Sequence, residues 1–199
     1  MNKEKILSKP VCLIWLTIAF IYGLVLPFCW GNNPMSEFGT LSLLCEDRKI
    51  YFWIWGLLTS GSIFINTQHF FNKFSFKHKL YDILGVLAII SVALVALTLG
   101  HSIDSWNPKR IAHWVATGMF IIFLLCSLAI YFLVNIKKHK SFGVLFLCML
   151  GVFASFLFIF IFIGKSALME MIPVALLEIF MFIINFTSLV PTEKAPVNV

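Results

Sequence analysis

His101 and Asp104 stand in one short polar connection, and His113 follows nine residues later. Residues three apart share a face where a helix runs through them. Two imidazoles and a carboxylate can hold Zn²⁺ and leave a fourth position for water. A His–Asp pair can instead act as a general base. These three residues are therefore the candidate catalytic and metal-ligating set; no cofactor is expected beyond the Zn²⁺ they could hold. An earlier polar connection adds Ser36 and Glu37 as candidate binding residues. The plainer alternative is an interfacial hydrogen-bond cluster that ties the two connections together. Neither H-E-x-x-H nor G-x-S-x-G occurs in the chain, so the commonest zinc-protease and serine-hydrolase arrangements are excluded. The histidines do not suit bis-histidine haem, which needs two facing imidazoles at one depth.

Glu178 is the second candidate. It lies seven residues into an apolar run that begins near residue 171, so it is about 10 Å along a helix axis. A carboxylate at such depth is rare and faces the bundle interior or a cavity. Asn185 stands two turns later on the same face. Together they are a candidate proton or ligand site; the alternative is a protonated acid bonded to a neighbouring helix. Pro173 reads as a first-turn proline of that helix.

The elements that position these residues follow from composition. Of 199 residues, 60% are hydrophobic and 12% charged, and the mean hydropathy is +0.96. Soluble domains carry about 25% charged residues. So few charges cannot cover a water-facing surface, which excludes a soluble or disordered chain. A membrane helix needs about 20 mostly apolar residues. Six runs qualify: 11–29, 51–69, 81–99, 113–134, 142–163 and 171–190. They are continuous and lack the alternation of a β-barrel strand. The expected fold is an all-α integral membrane protein: one domain over 1–199, a six-transmembrane-helix bundle. The basic N-terminus before an apolar run suggests a signal peptide, but the run is too long and no small-residue cleavage site follows.

Lys and Arg set the orientation. With the N-terminus inside, the inner segments hold ten basic residues and the outer loops five. Counting acids, the inner face carries +7 and the outer face zero. Both termini are then cytoplasmic in a multi-pass protein of the cytoplasmic membrane. The pI near 9.1 reflects that topology. It favours anionic lipid headgroups rather than nucleic acid. Trp30, Trp53, Trp55, Trp106 and Trp114 cluster near the outer boundary and Trp15 near the inner one. Cys12, Cys126 and Cys148 read as packing residues. Cys29 and Cys45 flank the first outer loop and either pair or stay free. That loop is expected to fold over the outer mouth, with Ser36 a candidate cap. Gly56-x-x-x-Ser60 and Gly151-x-x-x-Ser155 suit close helix approach. The tail after Pro191 reads as disordered.

The loop stretch Pro34-Met35-Ser36-Glu37-Phe38-Gly39-Thr40, followed by Gly100, Asp104 and His113, resembles the bacterial six-span "domain of unknown function 998" family. The chain departs from the family pattern at His101, where an apolar or aromatic residue is expected. In layout it is similar to a wider group that includes autophagy modulators and a factor remodelling GPI-anchor lipids. That resemblance implies lipid-related work and names no activity. The expected function is therefore binding of a lipid or a membrane protein partner at the outer mouth. The alternatives are a small membrane enzyme using His101, Asp104 and His113 on lipid headgroups, and a proton-coupled transporter using Glu178.

Overall fold

In the computed structural model, residues 8–31, 33–35, 40–73, 79–98, 108–137, 139–158 and 166–188 are described. Among them there is no strand. Six long helices make the bundle: α1 Lys9–Val25, α2 Lys49–Lys73, α3 Lys79–Leu97, α4 Pro108–Asn135, α5 Ser141–Phe158 and α6 Ala167–Phe186. A 3₁₀ turn, Leu26–Gly31, continues α1, and Pro27 suits that change because it cannot supply an N–H to the α-helical ladder. A one-turn helix, Leu41–Leu44, precedes α2.

Each helix packs on the next, and α6 closes the ring on α1 while also touching α2. Contact pairs give the directions. Gly56 meets Val92, Phe64 meets Gly85, and Gln68 bonds Asp82 at 2.9 Å. Numbers rise on α2 as they fall on α3, so the two are antiparallel. Asn66 with Asn185 and His69 with Phe186 rise together, so α2 and α6 are parallel. The bundle thus has a Lys9 end and a Leu41 end.

Three helical segments are long and apolar enough to cross a membrane: Lys9–Cys29, Pro108–Asn135 and Ala167–Phe186. Two shorter apolar stretches, Asp82–Leu97 and Ser141–Ser155, lie beside them. Large apolar side chains face outward all round, with Leu57 64%, Ile122 57% and Leu147 67% exposed on three different helices. Water would make such a surface aggregate; hydrocarbon accepts it. The make-up is that of a membrane protein.

The core divides in two. At the Lys9 end, Phe70, Phe71, Tyr131, Phe132, Phe142 and Phe180 form an aromatic cluster. At the Leu41 end, Leu26, Leu41, Cys45, Phe52, Ala167 and Met171 form a smaller apolar plug.

Several sequence expectations change. α6 starts at Ala167, capped by Ser166, whose hydroxyl accepts from the Met169 N–H at 3.3 Å. Pro173 is therefore interior, and it gives no N–H to the Met169 carbonyl. Cys126 and Cys148 are exposed, so they face outward and are not packing residues; Cys12 is buried. A Cβ on Gly56 would touch Val92 at 3.3 Å, which fits close approach of α2 and α3. A Cβ on Gly151 would meet nothing within 4 Å, so the second small pair makes no tight helix contact there. Trp15 lies with its ring against Gly61, the midpoint of α2, and so packs in an interhelical groove.

Candidate functional site

Ser36, Glu37, His101 and Asp104 lie outside the described residues, as does the tail after Pro191. His113 is described, in the second turn of α4. Its Nδ1 is 3.1 Å from the Val95 carbonyl and 3.3 Å from Thr98 Oγ1. Val95 belongs to the last turn of α3 and Thr98 follows it directly, its N–H and hydroxyl also donating to the Val95 carbonyl. The bond to Val95 places the proton on Nδ1 and leaves Nε2 as the acceptor nitrogen. His113 therefore ties α4 to the end of α3. Among the described residues no three His, Cys, Asp or Glu side chains come together as a metal site.

The connection between α1 and α2 is held to α6 at two points. The Leu41 N–H donates to Glu170 Oε2 at 2.8 Å. The Leu168 N–H donates to the Pro34 carbonyl at 3.1 Å. Glu170 is an acid in the first turn of α6, where the helix dipole favours it. It was not a sequence candidate, although an acid four residues after a capping serine is a readable signal. Leu41 and Cys45 are buried in the plug.

Cys29 and Cys45 are both free thiols. Burial pushes the Cys45 thiol up to about 11; Cys29 and Glu170 add to this and Arg48 opposes it. At pH 8 the reactive thiolate is then about one part in a thousand. Iodoacetamide is expected to leave Cys45 unmodified in the folded protein and to label it fully after unfolding, read by peptide mass. Labelling of the folded protein at the rate of a model thiol would contradict the burial.

Glu178 is 2% exposed on α6, and its Oε1 has no hydrogen-bond partner. It shares a buried seam with α2. Asn185 Nδ2 donates to the Asn66 carbonyl at 3.0 Å and lies 3.4 Å from Asn66 Oδ1. Asn66 Nδ2 in turn donates to the Cys12 carbonyl on α1 at 3.2 Å and to the Ser62 carbonyl at 2.9 Å. Three helices are thus joined at one amide pair. Glu178 lies seven residues before Asn185, and Thr59 seven before Asn66. In parallel helices equal offsets mean equal depth, so Thr59 stands level with Glu178 and Ser62 between the two layers. Thr59 Oγ1, Ser62 Oγ and Asn185 Oδ1 also have no partner. A buried polar atom left unpaired costs about 1–3 kcal/mol. Four of them in one seam make it the most costly polar feature of the core.

The sequence singled out Glu178 and Asn185 together, and the structure places both on the seam. It did not find Asn66 as their partner. Asn66, Ser62 and Thr59 are polar residues within the 51–69 run, and no motif in the sequence sets them apart.

A separate cavity of 20 Å³ lies between α2, α3 and α4, bordered by Ser60, Thr67, Gln68, Gly85, Phe120 and Ser127. It has room for about one water and none for a lipid chain. No protein-family model, curated protein or solved structure matches the chain.

Proposed function

We propose that the chain is a six-span protein of the cytoplasmic membrane with both termini inside, and that Glu178 binds and releases a proton in the service of transport. The observation that carries this is the carboxyl of Glu178: buried mid-bundle, with Oε1 unpartnered, on a seam of further unpartnered oxygens. A lone charged carboxylate there is costly, so the group must be neutral or charge-paired. A group that has to change protonation state needs such an under-committed setting; a purely structural acid would have its hydrogen bonds filled. Six long helices, three of them long and apolar enough to cross a membrane, support the six-span layout; the proposed kinship to the domain of unknown function 998 family rests on the loop residues alone.

The test is infrared difference spectroscopy of the purified protein in lipid nanodiscs during a pH titration. A carboxylic-acid carbonyl band is expected to appear and vanish reversibly in the wild type. It is expected to be missing in Glu178→Gln. A band that never titrates while the protein stays folded would sink the reading.

A second reading, binding of a lipid or partner helix at the outer mouth, is favoured by the loop pinned through Glu170 and Leu168. Trp114, 40% exposed beside that end, offers a membrane-interface surface. Native mass spectrometry of the detergent-purified protein would show co-purified lipid if it holds. The enzymatic reading on His101, Asp104 and His113, with or without Zn²⁺, has only His113 among the described residues.

A further inference from the structure

The seam is not symmetric along the bundle. From Glu178 toward the Leu41 end, eleven residues of α6 precede the helix start, about 16 Å at 1.5 Å per residue. That path is filled by Met171, Ala167, Phe52, Leu26, Leu41 and Cys45. The polar atom next in line is Trp55 Nε1, one turn before Thr59 on α2 and without a partner. An indole N–H donates only and cannot accept a proton. A proton route therefore stops there.

Toward the Lys9 end the seam continues. Ser62 Oγ lies one turn below Thr59, and Asn66 with Asn185 one turn below that. The hydroxyl both donates and accepts, and Asn185 Oδ1 is an uncommitted acceptor. Gaps wider than a hydrogen bond in such a polar seam suit bridging water. Only two residues, Phe186 and Thr187, separate Asn185 from Ser188, which is exposed just past the end of α6. Lys9 and Lys73 stand near each other at that same end.

We propose that in this conformation Glu178 exchanges its proton with the Lys9 end of the bundle, along Ser62, Asn66 and Asn185, while the Leu41 plug closes the other side. This rests on the reading of Glu178 as a proton site. The step is a proton transfer only: hydronium at the Lys9 end gives up a proton, its O–H bond breaks and leaves water, and an O–H bond forms on the Glu178 carboxylate. Titratable and charged groups on the surrounding helices are Lys9, Cys12 and Tyr22 on α1, Lys49, Tyr51, His69 and Lys73 on α2, Lys109, Arg110, His113, Cys126 and Tyr131 on α4, exposed Cys148 on α5 and Glu170 on α6. Ser62, Asn66 and Asn185 are positioning residues of the route.

The test is a pH jump applied outside liposomes that hold the full chain, sorted by orientation with an N-terminal affinity tag. The Glu178 carbonyl band is followed in time. With the Lys9 end outward the band is expected to follow the jump within mixing. With the Leu41 end outward it is expected to lag at least about tenfold, a barrier difference of about 1.4 kcal/mol. Ser62→Ala is expected to slow the fast response, and Ser62→Thr, which keeps the hydroxyl, to restore it. Equal rates from both sides, or a faster rate from the Leu41 end, would overturn the one-sided route and leave Glu178 as a proton site. Absence of any titrating band would remove both.

Discussion

Glu178→Leu is expected to leave the bundle as stable as the wild type or to stabilise it by about 1 kcal/mol, while abolishing the titrating carbonyl band. Glu178 Oε1 is buried without a partner. Folding of helices within lipid compares the packed bundle with separated helices, in which a carboxyl can draw in water or snorkel. The packed state denies it that relief, so the acid favours separation. Leucine removes the preference and fills a similar volume. Asn66→Leu is expected to do the opposite and lose about 1 kcal/mol or more, because its side-chain amide donates to the Cys12 and Ser62 carbonyls and its Oδ1 lies 3.4 Å from Asn185 Nδ2. Interhelical hydrogen bonds in membranes are worth about 0.6 kcal/mol each on average, and Asn66 forms more than one. Titration with a helix-separating detergent, read by the unfolding midpoint, measures both. A loss of about 2 kcal/mol or more in Glu178→Leu would mean that the carboxyl is a structural anchor.

Helix positions were largely legible in the sequence because lipid demands long apolar runs with all backbone groups bonded inside the segment. The expected run 113–134 lies within Pro108–Asn135, and 51–69 within Lys49–Lys73. Ends were less legible. The run from 171 begins four residues late because Ser166 and Glu170 start the helix with polar groups that a hydropathy reading discards. Facing was not legible for Cys126 or Gly151, since lipid tails and a protein core accept the same side chains. Depth made Glu178 visible, and helical spacing added Asn185. Asn66 stayed hidden because its link to Asn185 joins parallel helices 119 residues apart. Nothing in local spacing records that register. Of His101, Asp104 and His113 only His113 has a described environment, bonded to the end of α3.

Phe70→Ala is expected to be the most destabilising single truncation at the Lys9 end. Phe70 is fully buried, and its ring meets Tyr131 at 5.0 Å and Phe132 at 5.8 Å, both near edge-on. Those two rings extend the contact to Phe142 on α5 and Phe180 on α6. One side chain on α2 thus supports the packing of three other helices. In a soluble core such a truncation costs about 3–5 kcal/mol, part of it transfer of the ring out of water. Separated membrane helices stay in hydrocarbon, so the transfer part disappears and the packing part remains. Two aromatic pairs at about 0.5–1.5 kcal/mol each, with the cavity added, give about 2–3 kcal/mol. Ile122→Ala supplies the contrast, since that side chain is 57% exposed and faces outward; its expected change is within about 0.5 kcal/mol. The same detergent titration reads both. A double-mutant cycle of Phe70→Ala with Tyr131→Ala is expected to show coupling of about 1 kcal/mol, as residues in direct contact do. Equal losses from Phe70→Ala and Ile122→Ala would mean that the aromatic cluster does not hold the helices together. The route from Glu178 to the Lys9 end would then lose the rigid wall beside it.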